Sequence, residues 1–178
     1  MKSTPEDLAS QPLSLEELLA HALAIESEAV QSYEDLAAQM RQCDNTEVAD
    51  LFDRMAKLEA EHAAKLKEEA KDVEVPELAP WEFRWLGLEA PENIDLAGVH
   101  YLMTPYHALK LALTNETAAM AFFEAAAAGC VDERARALAI EFADDERQHV
   151  KWMQDWLAKY PPPDEDWDYD PDPPAALG

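Results

Sequence analysis

The stretch ESEAVQSYEDLA at residues 26–37 is echoed ninety residues later by ETAAMAFFEAAA at residues 116–127. Both begin with Glu, continue with a small hydroxyl residue, and place Ala fourth, Tyr or Phe eighth, Glu ninth and Ala twelfth. A pattern with apolar residues three and four apart belongs to a helix with one face turned to a core. Writing it twice asks for two similar helical units in one fold. It also puts a charged residue, Glu26 and again Glu116, where the periodicity demands an apolar one. The rest of the chain agrees with helices: it has only four Gly, and its Pro gather at 76–105 and 161–174, outside the periodic runs. The expected class is all-α.

Four runs can be bounded. Ser14 with Glu17 is a capping-box pair, and helical periodicity follows it to about Arg41, where CDNT breaks it. A second run covers about Thr46 to Lys71. A third starts at the N-cap and first-turn pair Thr104-Pro105 and ends at Gly129, which suits the C′ position. The fourth covers about Asp132 to Tyr160 and is stopped by three prolines, Pro161 to Pro163. The first and second runs, and the third and fourth, are joined by short links and should form antiparallel hairpins. About thirty residues (73–103) separate the hairpins, enough to return along a helix about 40 Å long. The expectation is an antiparallel four-helix bundle domain over 1–160 with a long crossover between its second and third helices. Residues 161–178 would form an acidic, Pro-rich tail of disordered composition. The crossover aromatics of WEFRWLGL are expected on the outside of the bundle or in a dimer contact.

Stepping alternately by four and three along each helix traces its inward seam. The first seam reads Leu15, Leu19, Ala22, Glu26, Ala29, Tyr33, Leu36 and Met40; the second reads Val48, Phe52, Met55, Glu59, His62 and Leu66. The third contains Glu116 between Ala112 and Ala119, and the fourth contains Glu146 and His149 between Phe142 and Met153. Each helix thus carries polar residues at its middle, in the order Glu, Glu-x-x-His, Glu, Glu-x-x-His. Burying these carboxylates without a compensating cation would be prohibitive. No Lys or Arg stands in the seams. Two metal ions would compensate them, since carboxylate oxygen and imidazole nitrogen suit iron or manganese. The metal ligands expected are therefore Glu26, Glu59, His62, Glu116, Glu146 and His149. Tyr33, one heptad beyond Glu26, could hydrogen-bond a ligand carboxylate or quench oxidising equivalents, or serve simply as core. His21, His100 and His107 fall off the seams and are expected at the surface or in loops.

With its motifs ESEAVQSY, LEAEHAAKL, NETAAMAFF and DERQHVKWM, the chain resembles the ferritin-like superfamily over about residues 14–160, and in particular its rubrerythrin and bacterioferritin branches. The resemblance implies a ferritin-like bundle of two hairpins related by an approximate twofold axis, each supplying half of a di-iron site. Glu26 and His62 would serve one ion, Glu116 and His149 the other, and Glu59 and Glu146 would bridge. Where rubrerythrins carry a further Glu after the third-helix ligand this chain has Ala119, and where bacterioferritin has its haem-binding Met it has Ala60, so no haem is expected. No C-x-x-C pair is present, so a rubredoxin-like module is not expected, and electrons would come from an external donor protein.

The formal net charge of −24 excludes nucleic acid and anionic membranes as partners and favours cations, while most of the carboxylates form solvated helix faces. No stretch approaches 18 uncharged apolar residues, and Cys43 and Cys130 have neither disulfide-framework nor metal spacing, so a cytoplasmic protein is expected. A homodimer is expected from apolar outer positions. The expected function is a di-iron oxidoreductase that reduces hydrogen peroxide or dioxygen. The alternatives are a ferroxidase that takes Fe(II) for storage or detoxification, a di-iron monooxygenase, and a di-manganese catalase.

Overall fold

Ser14 opens the first helix with a reciprocal cap: its Oγ accepts from the Glu17 N–H at 3.2 Å and the Glu17 carboxylate accepts from the Ser14 N–H at 3.0 Å. In the computed structural model, which describes residues 4, 8, 11–86, 90, 91, 94 and 99–171, this helix, α1, spans Leu15–Gln42. It is followed by α2 at Thr46–Glu69, α3 at Pro105–Gly129 and α4 at Glu133–Leu157. No strand is present among the described residues, and the protein is an all-α four-helix bundle. Asp44 turns the chain between α1 and α2 at φ 58°, a conformation that Asp tolerates better than most residues. The three-residue links make each hairpin antiparallel, and α1 with α2 and α3 with α4 are the closely packed pairs.

Two helix ends fall short of the sequence reading. α2 stops at Glu69 and α4 at Leu157, because the N–H groups of Lys71, Lys159 and Tyr160 bond three residues back and tighten the last turn. Tyr160 also precedes a proline, which disfavours the helical region. Gly129 closes α3 within the helix rather than as a left-handed C′ residue, and no described Gly has positive φ. The Cys130 N–H instead reaches Ala126 O, and Arg136 donates to Cys130 O at 3.2 Å.

The core lies in two parts along the bundle. One gathers Leu18, Leu19, Ile25, Leu66, Phe122, Phe123 and Phe142. The other gathers Tyr33, Met40, Phe52, Met55, Leu109 and Met153. Between Ile25 and Ala29 on α1, and at matching heights on the other helices, the buried residues are polar.

The crossover contributes more to the interior than expected. Trp85 is buried on Phe122, with ring centroids 5.6 Å apart, whereas Trp81 stays 80% exposed. His21 is not a surface residue either. Nearly inaccessible, it donates from Nδ1 to Glu17 O at 2.7 Å, accepts at Nε2 from the Arg84 N–H at 2.9 Å and packs among Phe83, Trp85 and Phe122. The aromatic crossover shelters an off-seam position that a bundle alone would leave open.

The beginning of the tail also differs from the reading of its composition. Most of residues 161–171 are exposed, but two of them are held: Trp167 lies tilted over the His107 ring, centroids 3.8 Å apart, and meets His100 edge-on, and the Tyr101 hydroxyl donates to Asp170. One aromatic residue in the acidic stretch, Trp167, supplies apolar area that composition averages conceal. Residues 172–178 lie outside the described residues.

Candidate metal centre

All six polar seam residues come together between the two parts of the core. Glu26 from α1, Glu59 and His62 from α2, Glu116 from α3, and Glu146 and His149 from α4 are all buried. Helical spacing explains the order: the i, i+3 pair on α2 and its counterpart on α4 put a carboxylate and an imidazole on the same inward stripe. Across the gap the two imidazole rings lie face to face, 4.5 Å apart and 4° from parallel.

Both Nδ1 atoms point to the carboxylates. His62 Nδ1 is 3.6 Å from Glu26, 3.8 Å from Glu59 Oε2 and 3.4 Å from Glu146 Oε1. His149 Nδ1 is 3.1 Å from Glu116, 3.9 Å from Glu59 Oε1 and 3.7 Å from Glu146 Oε2. Glu59 and Glu146 therefore each turn one oxygen to either imidazole, whereas Glu26 and Glu116 each lie beside one. Ligand atoms of Glu26, His62 and Glu146 fall within 4.8 Å of one another, as do those of Glu116, Glu146 and His149, and those of Glu59, His62 and His149.

The donor set is unsatisfied by the protein itself. Both oxygens of Glu26, Glu59 and Glu146, one of Glu116, and His62 Nδ1 are buried without a hydrogen-bond partner. Such groups are costly unless something else meets them. No Lys or Arg is buried among the described residues. Burial pushes the Glu26 carboxyl above its ordinary range, and burial with neighbouring carboxylates pushes Glu59 and Glu116 well above it. Burial opposes charge on His62, but the Glu146 and Glu26 carboxylates outweigh it and push the ring up to about 11. Burial holds His149 below its usual value. Hard carboxylate oxygens with two imidazoles and no buried Lys or Arg among the described residues fit metal ions of the iron or manganese type.

Tyr33 is fully buried, its ring stacked 6.0 Å from Phe52 on the side of the cluster toward Met40. His100 and His107 stand apart from the cluster, under Trp167. Two features escaped the sequence reading. Asn115 is buried next to Glu116, and Trp152 lies over His149, with centroids 5.2 Å apart. The spacing His149 to Trp152, one turn on the same face, was the available signal for the second.

A protein-family model for rubrerythrin matches residues 17–157. Among solved structures, an uncharacterized conserved protein from Magnetospirillum magnetotacticum MS-1 is similar, with 37% sequence identity and a TM-score of 0.69 over 85% of this chain and 99% of that one. No functionally curated protein matches the chain.

Proposed function

The chain belongs to the rubrerythrin family over residues 17–157, and from that premise we propose that it is an oxidoreductase that holds two iron ions in the buried cluster and reduces hydrogen peroxide or dioxygen. One observation carries the reading: six buried carboxylate and imidazole groups from four helices converge with most of their ligand atoms unpartnered and no buried Lys or Arg among the described residues. Iron bound there would supply electrons in pairs to one small oxidant. Glu26 with His62, and Glu116 with His149, would each hold one ion, while Glu59 and Glu146, facing both imidazoles, would span the two. The flanking apolar residues restrict water around these anionic groups and strengthen their hold on cations. Peroxide reduction breaks the O–O bond, takes up two electrons and two protons, and yields two waters. Electrons for further turnovers would come from a separate donor protein, and the working form would be a homodimer.

The test is anaerobic loading with Fe(II), metal counting, and rapid mixing with peroxide or air. The expected result is two irons per chain and faster oxidation by peroxide than by dioxygen. Steady turnover with a supplied reductant separates this reading from iron storage, which would accumulate many ferric ions per chain. An oxidation phase unchanged in both Glu59→Ala and Glu146→Ala would remove these carboxylates from the reaction.

A further inference from the structure

Among the described residues, what exposure the cluster keeps lies at its two imidazoles. Its four carboxylates are at most 1% exposed, whereas His149 retains 4% and His62 9%. That remaining exposure opens into a cavity of about 150 Å³ lined by Leu58, Glu61 and His62 of α2 and by Asp145, Gln148, His149 and Trp152 of α4. Glu61 and His62 are three and four residues from Leu58, and Gln148 and His149 three and four from Asp145, so each set lies on one helix face and the pocket is the gap between two facing stripes. Lys65 crosses the gap to Asp145 at 2.7 Å and to Glu141 at 2.8 Å. His62 faces His149 one turn away. These pairings run in opposite directions along the two helices, which sets Leu58 opposite Trp152. One end of the gap is tied by the Lys65 ion pairs, and the other is narrowed by Leu58 and the indole.

We infer that this pocket is the port by which reactants reach the cluster, and that Trp152, with Leu58 opposite, sets the largest reactant admitted: hydrogen peroxide and dioxygen pass, and organic hydroperoxides do not. The inference rests on the peroxide reading above and narrows its substrate class. A pocket of about 150 Å³ has room for a benzene-sized group, so the selection lies at its inner end, where His149 and His62 keep only 4% and 9% of their surface open beneath the indole. The indole is 41% exposed and lies 5.2 Å from the His149 ring at 30°, so much of it is committed to covering that imidazole. Glu61 and Asp145 put negative charge on the lining, so neutral reactants enter more readily than anions.

The experiment compares the wild type with Trp152→Ala, Trp152→Phe and Leu58→Trp. In iron-loaded protein, Trp152→Ala is expected to raise the rate with cumene hydroperoxide about tenfold relative to that with hydrogen peroxide. Trp152→Phe should fall between, and Leu58→Trp should slow both. A second readout needs no metal: diethyl pyrocarbonate modification of His149, the imidazole that burial keeps neutral, in metal-free protein, located by peptide mass spectrometry, with His100 as internal reference. Wild-type His149 should react slowly, Trp152→Ala about tenfold faster, and Trp152→Phe near the wild type. If Trp152→Ala does not fold, as judged by circular dichroism, the other two variants still decide through the same ratios. Peroxide turnover with no change in either ratio would overturn the port and leave the proposed function standing. Changed modification rates with no peroxide reaction in any variant would overturn the proposed function and leave the port as the way in.

Discussion

His21 and the pair His62 and His149 are all buried in one bundle, yet the fold treats them in opposite ways. At His21 both ring nitrogens have backbone partners, Glu17 O and the Arg84 N–H, and three aromatic rings enclose the imidazole. The protein has completed that site on its own. At the cluster the imidazoles face carboxylates whose oxygens mostly have no partner, and Lys65, one turn beyond His62 on α2, is engaged outside with Glu141 and Asp145. That site is completed only by something added. A buried histidine is thus diagnosed by the sum of its surroundings: paired, it is architecture; surrounded by unpaired anions, it is half of a binding site.

The largest effect should come from supplying what the cluster lacks. An ion that binds the folded chain alone at a thousand times its dissociation constant stabilises it by about 4 kcal/mol, or about 10 °C in melting temperature for a chain of this size. Calorimetry with Fe(II) or Mn(II) against chelator should show this rise. His21→Phe should keep it, and Glu59→Gln should lose most of it. In chelator, Glu59→Gln should melt higher than the wild type, because a neutral amide replaces a carboxyl that burial and its neighbours disfavour as an anion. Equal melting with chelator and with metal would erase the contrast between the two sites.

The pH dependence should separate His21 from the cluster carboxylates by sign. Burial pushes His21 down to about 4 from an ordinary 6.5. Between those values the unfolded chain binds the extra proton, so the His21 contribution is intact above 6.5 and is lost as pH falls toward 4, about 3 kcal/mol in all. Glu26, Glu59 and Glu116 have raised values in the metal-free protein. Their contribution is fully present below the ordinary carboxylate range and is lost as pH rises through the raised values. Metal-free His21→Phe should therefore lose stability steadily from pH 5 upward in denaturant titrations and keep only a reduced acid-side loss, the part left by His149, which burial also holds low. An acid-side loss as large in the variant as in the wild type would show that His21 is not its source.

The cluster was legible in the sequence for the reason that makes it costly. Glu26, Glu59, Glu116 and Glu146 each interrupt an apolar seam, and an interruption repeated at the middle of every helix is visible to periodicity alone. His21 was not legible, because its position lies off the seam and its burial depends on Phe83 and Trp85, more than sixty residues away in a segment without periodicity. Trp152 was hidden for a related reason: it belongs to the stripe where α2 faces α4 and not to the seam facing the bundle axis. Helix ends shifted by two or three residues at Glu69 and Leu157, where hydrogen-bond geometry in the last turn decides and pattern does not.

The smallest effect concerns the tail, where contact is set against composition. Residues 161–171 include five acidic residues and four prolines, which argues for an unfolded segment, but Trp167 covers His107 and touches His100. His107 has a second task there, since its Nδ1 accepts the Thr104 N–H at 3.1 Å at the start of α3. The indole thus shields a capping hydrogen bond from water at a helix end whose free N–H groups need partners. Trp167→Ala should cost about 1 kcal/mol, a typical value for losing one partly exposed aromatic contact. Hydrogen exchange at the first turn of α3 and proteolysis after Tyr160 should both accelerate. Metal binding should be unaffected, because the metal-ligand candidate nearest in sequence, Glu116, lies nearly three helical turns further along α3. Unchanged exchange at Thr104, Tyr106 and His107 would mean that the indole rests on the bundle without supporting it, and that composition, not contact, governs this segment.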